Sequence, residues 1–143
     1  MQYILQNPGT VLKLTLEHIQ ISLISVAISI VIGVVIGIIL TRIKILQGPV
    51  LGLAGVLYTI PSLALFAMLI PFFGLGLKPT VFALILYSQL AIIRNTVSGI
   101  ETIDPSIIEV AEGMGMTGWQ KLFLVELPLG LPVIMAGVRM VTV

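Results

Sequence analysis

The chain has 143 residues, of which 58% are hydrophobic and 9% are charged, and its mean hydropathy is +1.21. An ordinary soluble domain carries about 25% charged residues, so this composition excludes a soluble enzyme and favours an integral membrane protein. The net charge of +1 provides no basic field for nucleic acid, the lack of cysteine excludes disulfides, and a single histidine argues against a metal or acid–base centre.

The first apolar stretch predicts a membrane-spanning helix over residues 20–41. Residues 19–41 contain no Lys, Arg, Asp or Glu over 23 positions, and a span needs about 20 apolar residues. The preceding Asn7–Pro8–Gly9 is a turn signal. The segment before the span is therefore interpreted as a short interfacial lead-in, with His18 as an interface anchor. A secretory signal peptide is disfavoured, because the apolar run is longer than a signal core and ends in basic residues.

Two glycines, Gly33 and Gly37, lie four residues apart within this first span. Small residues at this spacing allow two membrane helices to approach closely. Glycine is also common in membrane helices in general. A specific helix contact and a plain compositional effect are therefore both open from the sequence.

A second span is predicted over residues 50–70, with Pro61 inside it as a kink. Proline removes a backbone hydrogen bond, and in a membrane the freed carbonyl needs a neighbour, a hydroxyl or water. A kink in a pathway-lining helix and a purely structural kink are both consistent with Pro61. Residues 71–79 hold two prolines and two glycines and predict a loop or re-entrant turn, and a third span is predicted over residues 79–95.

The most polar stretch, residues 96–128, is predicted to be a folded cytoplasmic loop between the third and fourth spans. Asp104 followed by Pro105 is typical of a helix start. This helix is expected to end at Gly113–Met114–Gly115, because glycine is frequent just after a helix.

A second short helix in the loop is predicted from Thr117 and Gln120, which have the spacing of a capping box. Pro128 is expected to stop that helix. Residues 129–143 are then predicted to be an incomplete fourth span, so that a truncation within this span is expected.

The distribution of lysine and arginine predicts the orientation of the chain in the membrane. With the loop in the cytoplasm, the basic residues divide five to two in favour of the cytoplasmic side, which places the amino terminus outside. The five are Arg42, Lys44, Arg94, Lys121 and Arg139, and the two are Lys13 and Lys78.

The loop contains a motif of fixed spacing that starts at Glu109 and reads EVAEGMGMTGWQKLFLVELP. It resembles the EAA motif of the permeases of ATP-binding-cassette (ABC) importers. Glu109, Ala111 and Gly115 match that motif, and Leu127 and Pro128 follow at the expected spacing. Val110 and Val125 replace an alanine and an isoleucine of the family pattern and are similar to them in polarity.

The resemblance implies that this loop couples the permease to a separate ATPase subunit. The residues expected to do so are Glu109, Ala111, Gly113, Gly115, Leu127 and Pro128. Small residues on one face of a capped helix would allow close approach to the ATPase, and Glu109 would meet a basic partner. A solvated Glu109 and glycines that serve only as helix caps are the structural alternative, and the match in spacing favours coupling.

Sequence on both sides of the motif looks like the osmoprotectant branch of these permeases, which import glycine betaine, carnitine or choline. The resemblance covers essentially the whole chain and implies an all-α polytopic membrane protein. Its single transmembrane permease domain, residues 1–143, is expected to have the helical core of methionine-type importers. The implied location is the bacterial inner (plasma) membrane.

The resemblance also implies partners. These are two ATP-binding subunits that hold ATP and Mg²⁺, a second permease subunit, identical or paralogous, an extracytoplasmic solute-binding protein, and membrane lipid. No cofactor, metal or catalytic residue is expected in this chain, which lacks paired carboxylates in its spans and a phosphate-binding loop. The alternatives are a permease for another small solute, such as an amino acid or a polyamine, and an ATP-independent membrane transporter or scaffold.

Two further features are less determined by the sequence. Arg139 is a candidate to line the pathway, to pair with Glu126, or to lie at the membrane interface. The aromatic residues are candidates for a transient solute path, although lipid or core packing is favoured for them. They are Tyr58, Phe66, Phe72, Phe73, Phe82 and Tyr87.

Overall fold

The computed structural model describes residues 8–142, and this part of the chain is built from helices without any strand. The fold is therefore all-α, as predicted. Asn7 of the predicted turn, the rest of residues 1–7 and Val143 at the end of the predicted fourth span lie outside the described residues.

The first helix, α1, runs without interruption from Pro8 to Arg42 and is 35 residues long. The residues interpreted as an interfacial lead-in are, from Pro8 onward, part of the same helix as the first span. Pro8 occupies the first position of α1, where its missing N–H has no intrahelical role. Inside the span, the hydroxyls of Ser25 and Ser29 donate to the carbonyls four residues earlier, which satisfies both in an apolar setting.

The predicted second span is a broken helix rather than a kinked one. After a 3₁₀ turn at Lys44–Leu46, helix α2 covers Gln47–Thr59 and helix α3 covers Ser62–Phe73, and the two are bent by 99°. The chain is extended at Ile60 and Pro61, with ψ of 126° and 134°, because a residue before proline avoids the helical conformation. Tyr87 Oη donates to the Ile60 carbonyl at 2.7 Å, so this carbonyl at the break has a hydrogen-bond partner.

The predicted loop over residues 71–79 is largely helical. Helix α3 continues through Pro71 to Phe73, and helix α4 covers Leu77–Glu101, which is longer than the predicted third span of 79–95. Only Gly74–Gly76 lies between them. Gly74 and Gly76 have φ of 74° and 133°, values that favour glycine, so a three-residue connection suffices for the reversal.

Pro128 does not end the second helix of the loop, as had been expected. Helix α5 covers Pro105–Gly113, helix α6 covers Gly118–Lys121, a π-helical segment covers Leu122–Glu126, and helix α7 covers Leu127–Thr142. Together, Gly118–Thr142 form a continuous 25-residue candidate span. The Leu127 N–H reaches back to the Leu122 carbonyl within the wide π turn, and the helix continues through Pro128 in the next turn.

Helix α4 is packed closely on both sides through glycines. A Cβ atom built on Gly33 of α1 would lie 2.6 Å from Ile92 of α4, and one on Gly37 would lie 2.5 Å from Thr96. On the other side, a Cβ on Gly99 of α4 would lie 2.9 Å from the Gly130 carbonyl oxygen of α7. Of the two alternatives left open by the sequence for Gly33 and Gly37, the structure shows the specific helix contact.

These contacts fix the direction of each helix. Gly33 faces Ile92 and Gly37 faces Thr96, so α1 and α4 run in parallel. The chain must therefore return between them, and the bent pair α2–α3 makes this return as a broken span. Three other helices, Pro8–Arg42, Leu77–Glu101 and Gly118–Thr142, are each long and apolar enough to cross a membrane.

We expect the variant Gly37→Ala to lower the free energy of unfolding by about 1–3 kcal/mol, because overpacking a tight contact costs about this much. The added methyl group would meet the fully buried Thr96. Thermal unfolding of the detergent-solubilised protein measures the effect.

Gly55→Ala is the matched control. Within residues 8–142, no atom other than those of its own helix and its chain neighbours lies within 4 Å of a Cβ at Gly55. This variant should be neutral or more stable by up to about 1 kcal/mol, because alanine favours a helix over glycine. Equal effects of the two variants would contradict the packing described for α1 and α4.

Candidate functional site

The loop between the third and fourth spans begins with a capped helix. The Ser106 N–H donates to Asp104 Oδ1 at 2.8 Å, and Pro105 occupies the first helical position of α5. The predicted cap is therefore confirmed. This bond, together with one from the Ser106 side chain, lowers the pKa of the exposed Asp104 carboxyl below its ordinary value. The carboxylate is thus held in its charged form, which interacts favourably with the helix amino terminus.

The same helix ends in a motif that requires glycine at one position. The Gly115 N–H donates to the Glu112 carbonyl at 2.9 Å, and the Met116 N–H donates to the Ala111 carbonyl at 3.2 Å. These two bonds define a Schellman motif, in which the residue after the cap adopts a left-handed conformation. Gly115 is that residue, with φ of 75°. The left-handed backbone at this position therefore explains why the EAA-like motif has glycine at residue 115.

Ala111 lies on a different side of α5 from the other residues of the motif. Ala111 is only 1% exposed, whereas Glu109, Gly113 and Gly115 are exposed. The expectation of one outward face that includes Ala111 is therefore wrong. Residues two apart on a helix point about 200° away from each other, so Ala111 cannot share the side of Glu109 or Gly113.

An exposed apolar stripe on α5 was not predicted. Ile107, Val110 and Met114 are 41%, 61% and 65% exposed and lie at helical spacing i, i+3 and i+7. We call these three residues the outward stripe. The spacing itself could have indicated it, because this pattern marks one face of a helix. Exposed apolar residues grouped on a rigid helix are suited to a protein contact.

A second capped turn follows and is tied back to α5. The Thr117 N–H donates to Gln120 Oε1 at 2.8 Å, and the Gln120 N–H donates to Thr117 Oγ1 at 3.4 Å. The predicted capping box is confirmed. Lys121 on α6 forms an ion pair with Glu112 on α5. The two short helices are therefore connected by charge as well as by the turn.

The base of the loop is joined to the first span by a two-pronged ion pair between Arg42 and Glu126. Arg42 Nη1 lies 3.2 Å from Glu126 Oε1, and the second nitrogen contacts the other carboxylate oxygen. The Glu126 side chain is 4% exposed and that of Arg42 is 43% exposed. Two parallel hydrogen bonds fix the relative orientation of the two groups. We call this pair the Arg42–Glu126 brace.

Another set of hydrogen bonds joins three helices at the same end. Gln47 Nε2 on α2 donates to Glu101 Oε1 on α4 at 2.7 Å and to the Leu40 carbonyl on α1 at 3.1 Å. The loop end of the bundle is therefore linked by side chains from the first, second, third and fourth spans.

The remaining predicted site residues lie elsewhere or have a different neighbour. Leu127 and Pro128 begin α7, directly after Glu126, half-buried and exposed respectively. Pro61 lies at the break between α2 and α3. Arg139 is exposed on α7, and of the three alternatives for it the pairing with Glu126 is contradicted, because Glu126 is engaged by Arg42. Over residues 8–142, no group of three or more His, Asp and Glu side chains could hold a metal ion.

Comparison with protein families gives one match over nearly the whole chain. Residues 8–143 match the family described as binding-protein-dependent transport system inner membrane component. The chain is 44% identical over 143 residues to the glycine betaine/carnitine/choline transport system permease protein OpuCB of Bacillus subtilis, and 43% identical over 143 residues to the choline transport system permease protein OpuBB of the same organism. Both alignments cover 100% of this chain and 66% of the relative.

A third similar permease comes from another organism. The osmoprotectant import permease protein OsmW of Salmonella typhimurium is 43% identical over 144 residues, with 97% of this chain and 67% of the relative covered. The chain thus spans about two thirds of the length of the curated relatives that it matches.

Gly115→Ala is expected to destabilise the end of α5 by about 1–2 kcal/mol, because a left-handed backbone costs this much for a residue with a Cβ atom. Hydrogen exchange of the amides of residues 105–117 measures the effect and should show faster exchange.

Gly113→Ala is the matched control for this variant. Gly113 is exposed, lacks a positive φ, and within the described chain a Cβ there would meet no atom within 4 Å beyond its own helix and chain neighbours. In the Gly113→Ala variant, hydrogen exchange of the amides of residues 105–117 should stay the same or become slower. Equal acceleration in both variants would contradict the Schellman motif as the reason for glycine at position 115.

Glu126→Gln should lower the free energy of unfolding by about 1.5–3 kcal/mol, the usual contribution of a hydrogen bond to a charged group. The larger cost of breaking a fully buried pair is not expected, because Arg42 is partly exposed. Glu112→Gln, in a pair whose carboxylate is 59% exposed, should cost less than about 1 kcal/mol. Thermal unfolding in detergent compares the two, and a Glu126→Gln protein as stable as the parent would rule out the brace as a stabilising contact.

Proposed function

The chain belongs to the family of binding-protein-dependent transport system inner membrane components and is a multi-pass membrane protein; on this premise we propose that it is the permease subunit of an ABC importer. In this proposal it provides part of the solute path and does not hydrolyse ATP. The energy would come from separate ATP-binding subunits that hold ATP and Mg²⁺.

The observation that carries the proposal is the construction of the loop. Helix α5 is capped at both ends, carries the outward stripe of Ile107, Val110 and Met114, and is tied to α6 by the Glu112–Lys121 pair. A rigid helix with exposed apolar residues is suited to insert into a cleft of an ATPase. Helix-in-groove recognition uses apolar residues at this same spacing.

The connection from the loop to the membrane supports a coupling role. Helix α6 continues through the π segment into α7, and the Arg42–Glu126 brace joins that segment to the end of α1. A displacement of α5 would therefore pass to two spans at once. Close packing of α1 and α7 against α4 would carry the movement further, since packed elements shift as units rather than deform.

The solute class is proposed from the relatives. The names of the similar permeases include glycine betaine, carnitine and choline, all of which contain a quaternary ammonium group. We extend this class to the present chain. The proposed partners are a second permease subunit, two ATP-binding subunits and an extracytoplasmic solute-binding protein, with the loop facing the cytoplasm.

Val110→Lys is expected to weaken association with the ATP-binding subunit at least about tenfold, because a charge at the centre of an apolar contact removes a main anchor. Glu109→Lys tests the second predicted contact in the same way. Binding of the purified ATPase subunit to the permease in detergent is the measurement.

Ile45→Lys serves as the control, since Ile45 is 83% exposed at the same end of the bundle but lies outside the loop. It should bind the ATPase subunit like the parent. Unchanged binding of both the Val110 and the Glu109 variants would contradict the coupling assignment.

The solute class is tested separately. The assembled complex in proteoliposomes should import labelled glycine betaine, carnitine or choline with ATP, and failure with all three would contradict the solute assignment.

A further inference from the structure

A cavity of about 280 Å³ lies between the broken span, α4 and α7. Its lining combines aromatic, cationic and amide side chains. They are Tyr58, Tyr87, Leu90, Ala91, Arg94 and Asn95, with Met140 and Val141 closing one side. Sites for drug-sized ligands are about 300–1,000 Å³, so this cavity suits a small solute.

The aromatic part of the cavity is a pair of tyrosines. The rings of Tyr58 and Tyr87 lie edge to face, with centroids 6.2 Å apart and planes at 86°. The Tyr87 hydroxyl is bonded to the Ile60 carbonyl at the helix break, which holds that ring in place. Tyr58 is 58% exposed, so its ring is accessible. Faces of aromatic rings attract organic cations, and quaternary ammonium ions in particular.

The polar part of the cavity is provided by Arg94 and Asn95. Within residues 8–142, three ion pairs are present, and Arg94 belongs to none of them. The Asn95 amide nitrogen donates to the Ala91 carbonyl at 2.8 Å, which fixes the side chain on its own helix. A guanidinium presents a planar set of donors that match a carboxylate.

The depth of the cavity suits a transport site. Ala91 lies 10 residues before Glu101, the last residue of α4, which is about 15 Å at 1.5 Å per residue. The lining residues on α4 run from Tyr87 to Asn95, so the cavity lies mainly in the half of this span that is nearer the loop. An ionisable residue within a span normally faces a polar pathway or the interior of a bundle.

We propose that this cavity binds the transported solute by both of its charges. The quaternary ammonium group lies against the rings of Tyr58 and Tyr87, and the carboxylate of a zwitterionic solute is bound by Arg94. This inference rests on the proposed function, and it assigns to the permease itself a preference for zwitterions over simple cations.

The chemistry of the solutes makes the preference measurable. Glycine betaine and carnitine carry a carboxylate in addition to the ammonium group, whereas choline carries a hydroxyl in its place. Arg94 should therefore assist the first two and oppose choline by charge repulsion. The tyrosine pair should assist all three.

Arg94→Gln is the first test, made in the complete importer reconstituted in proteoliposomes. The uptake of glycine betaine and carnitine should fall about tenfold relative to that of choline, which is the usual effect of losing a hydrogen bond to a charged group. Arg94→Lys keeps the positive charge and should retain most of the uptake of both zwitterions. An equal loss for all three solutes, or no loss for any, would overturn the role of Arg94.

Tyr58→Leu is the second test, and it should lower the uptake of all three solutes, whereas Tyr58→Phe should not. Phe72→Leu is the control, because Phe72 is 83% exposed and does not line the cavity. Uptake by Tyr58→Leu equal to that of Phe72→Leu would overturn the aromatic site. A parent complex that imports none of the solutes would instead refute the proposed function, so the two failures are distinguishable.

Discussion

Close contact of two helices with α4 is the constraint on which the rest of the structure depends. The contacts occur at glycines, where no side chain separates the backbones: Gly33 and Gly37 on one side, Gly99 and Gly130 on the other. Because α1 runs parallel to α4, the chain has to return between them, and it does so through the broken pair α2–α3. The Ile60 carbonyl at the break accepts a hydrogen bond from Tyr87, and Tyr58, just before the break, lines the cavity together with Tyr87. One packing arrangement therefore determines the topology and the position of the proposed solute site.

The loop depends on the same bundle but is held by charge. Side-chain hydrogen bonds and an ion pair join the helix ends here, in addition to the buried apolar cluster of Leu40, Ile93 and Val97. Glu126 is buried against Arg42, and Gln47 joins Glu101 to the end of α1. Such contacts are directional and fix the relative positions of the groups they join, so a displacement of the loop would move the helix ends with it. In the proposed importer, the apolar outward stripe would receive the movement of the ATPase and the Arg42–Glu126 brace would transmit it to the spans.

Local signals were predictable from the sequence, and contacts between distant residues were not. The cap at Asp104, the capping box at Thr117 and the helix end near Gly115 depend on neighbours a few residues away, and all three were predicted correctly. The effects of Pro61 and Pro128 were predicted wrongly. The surroundings of a proline decide whether the helix kinks, breaks or continues through it. Ala111 was grouped with Gly113 and Gly115 on one face although residues two apart lie on nearly opposite sides of a helix, and only the packed structure shows that the side of Ala111 is the buried one. The partner of Glu126 is 84 residues away along the chain, a distance at which no local pattern operates.

The central claim is that movement of the loop drives the spans through the Arg42–Glu126 brace. The most direct measurement is the ratio of solute imported to ATP hydrolysed by the complete importer carrying Arg42→Gln. The ATPase contact is on α5 in this account and is left intact by the substitution. We therefore expect ATP hydrolysis to continue while solute import, and with it the ratio, falls. An unchanged ratio in a fully assembled complex would contradict the account.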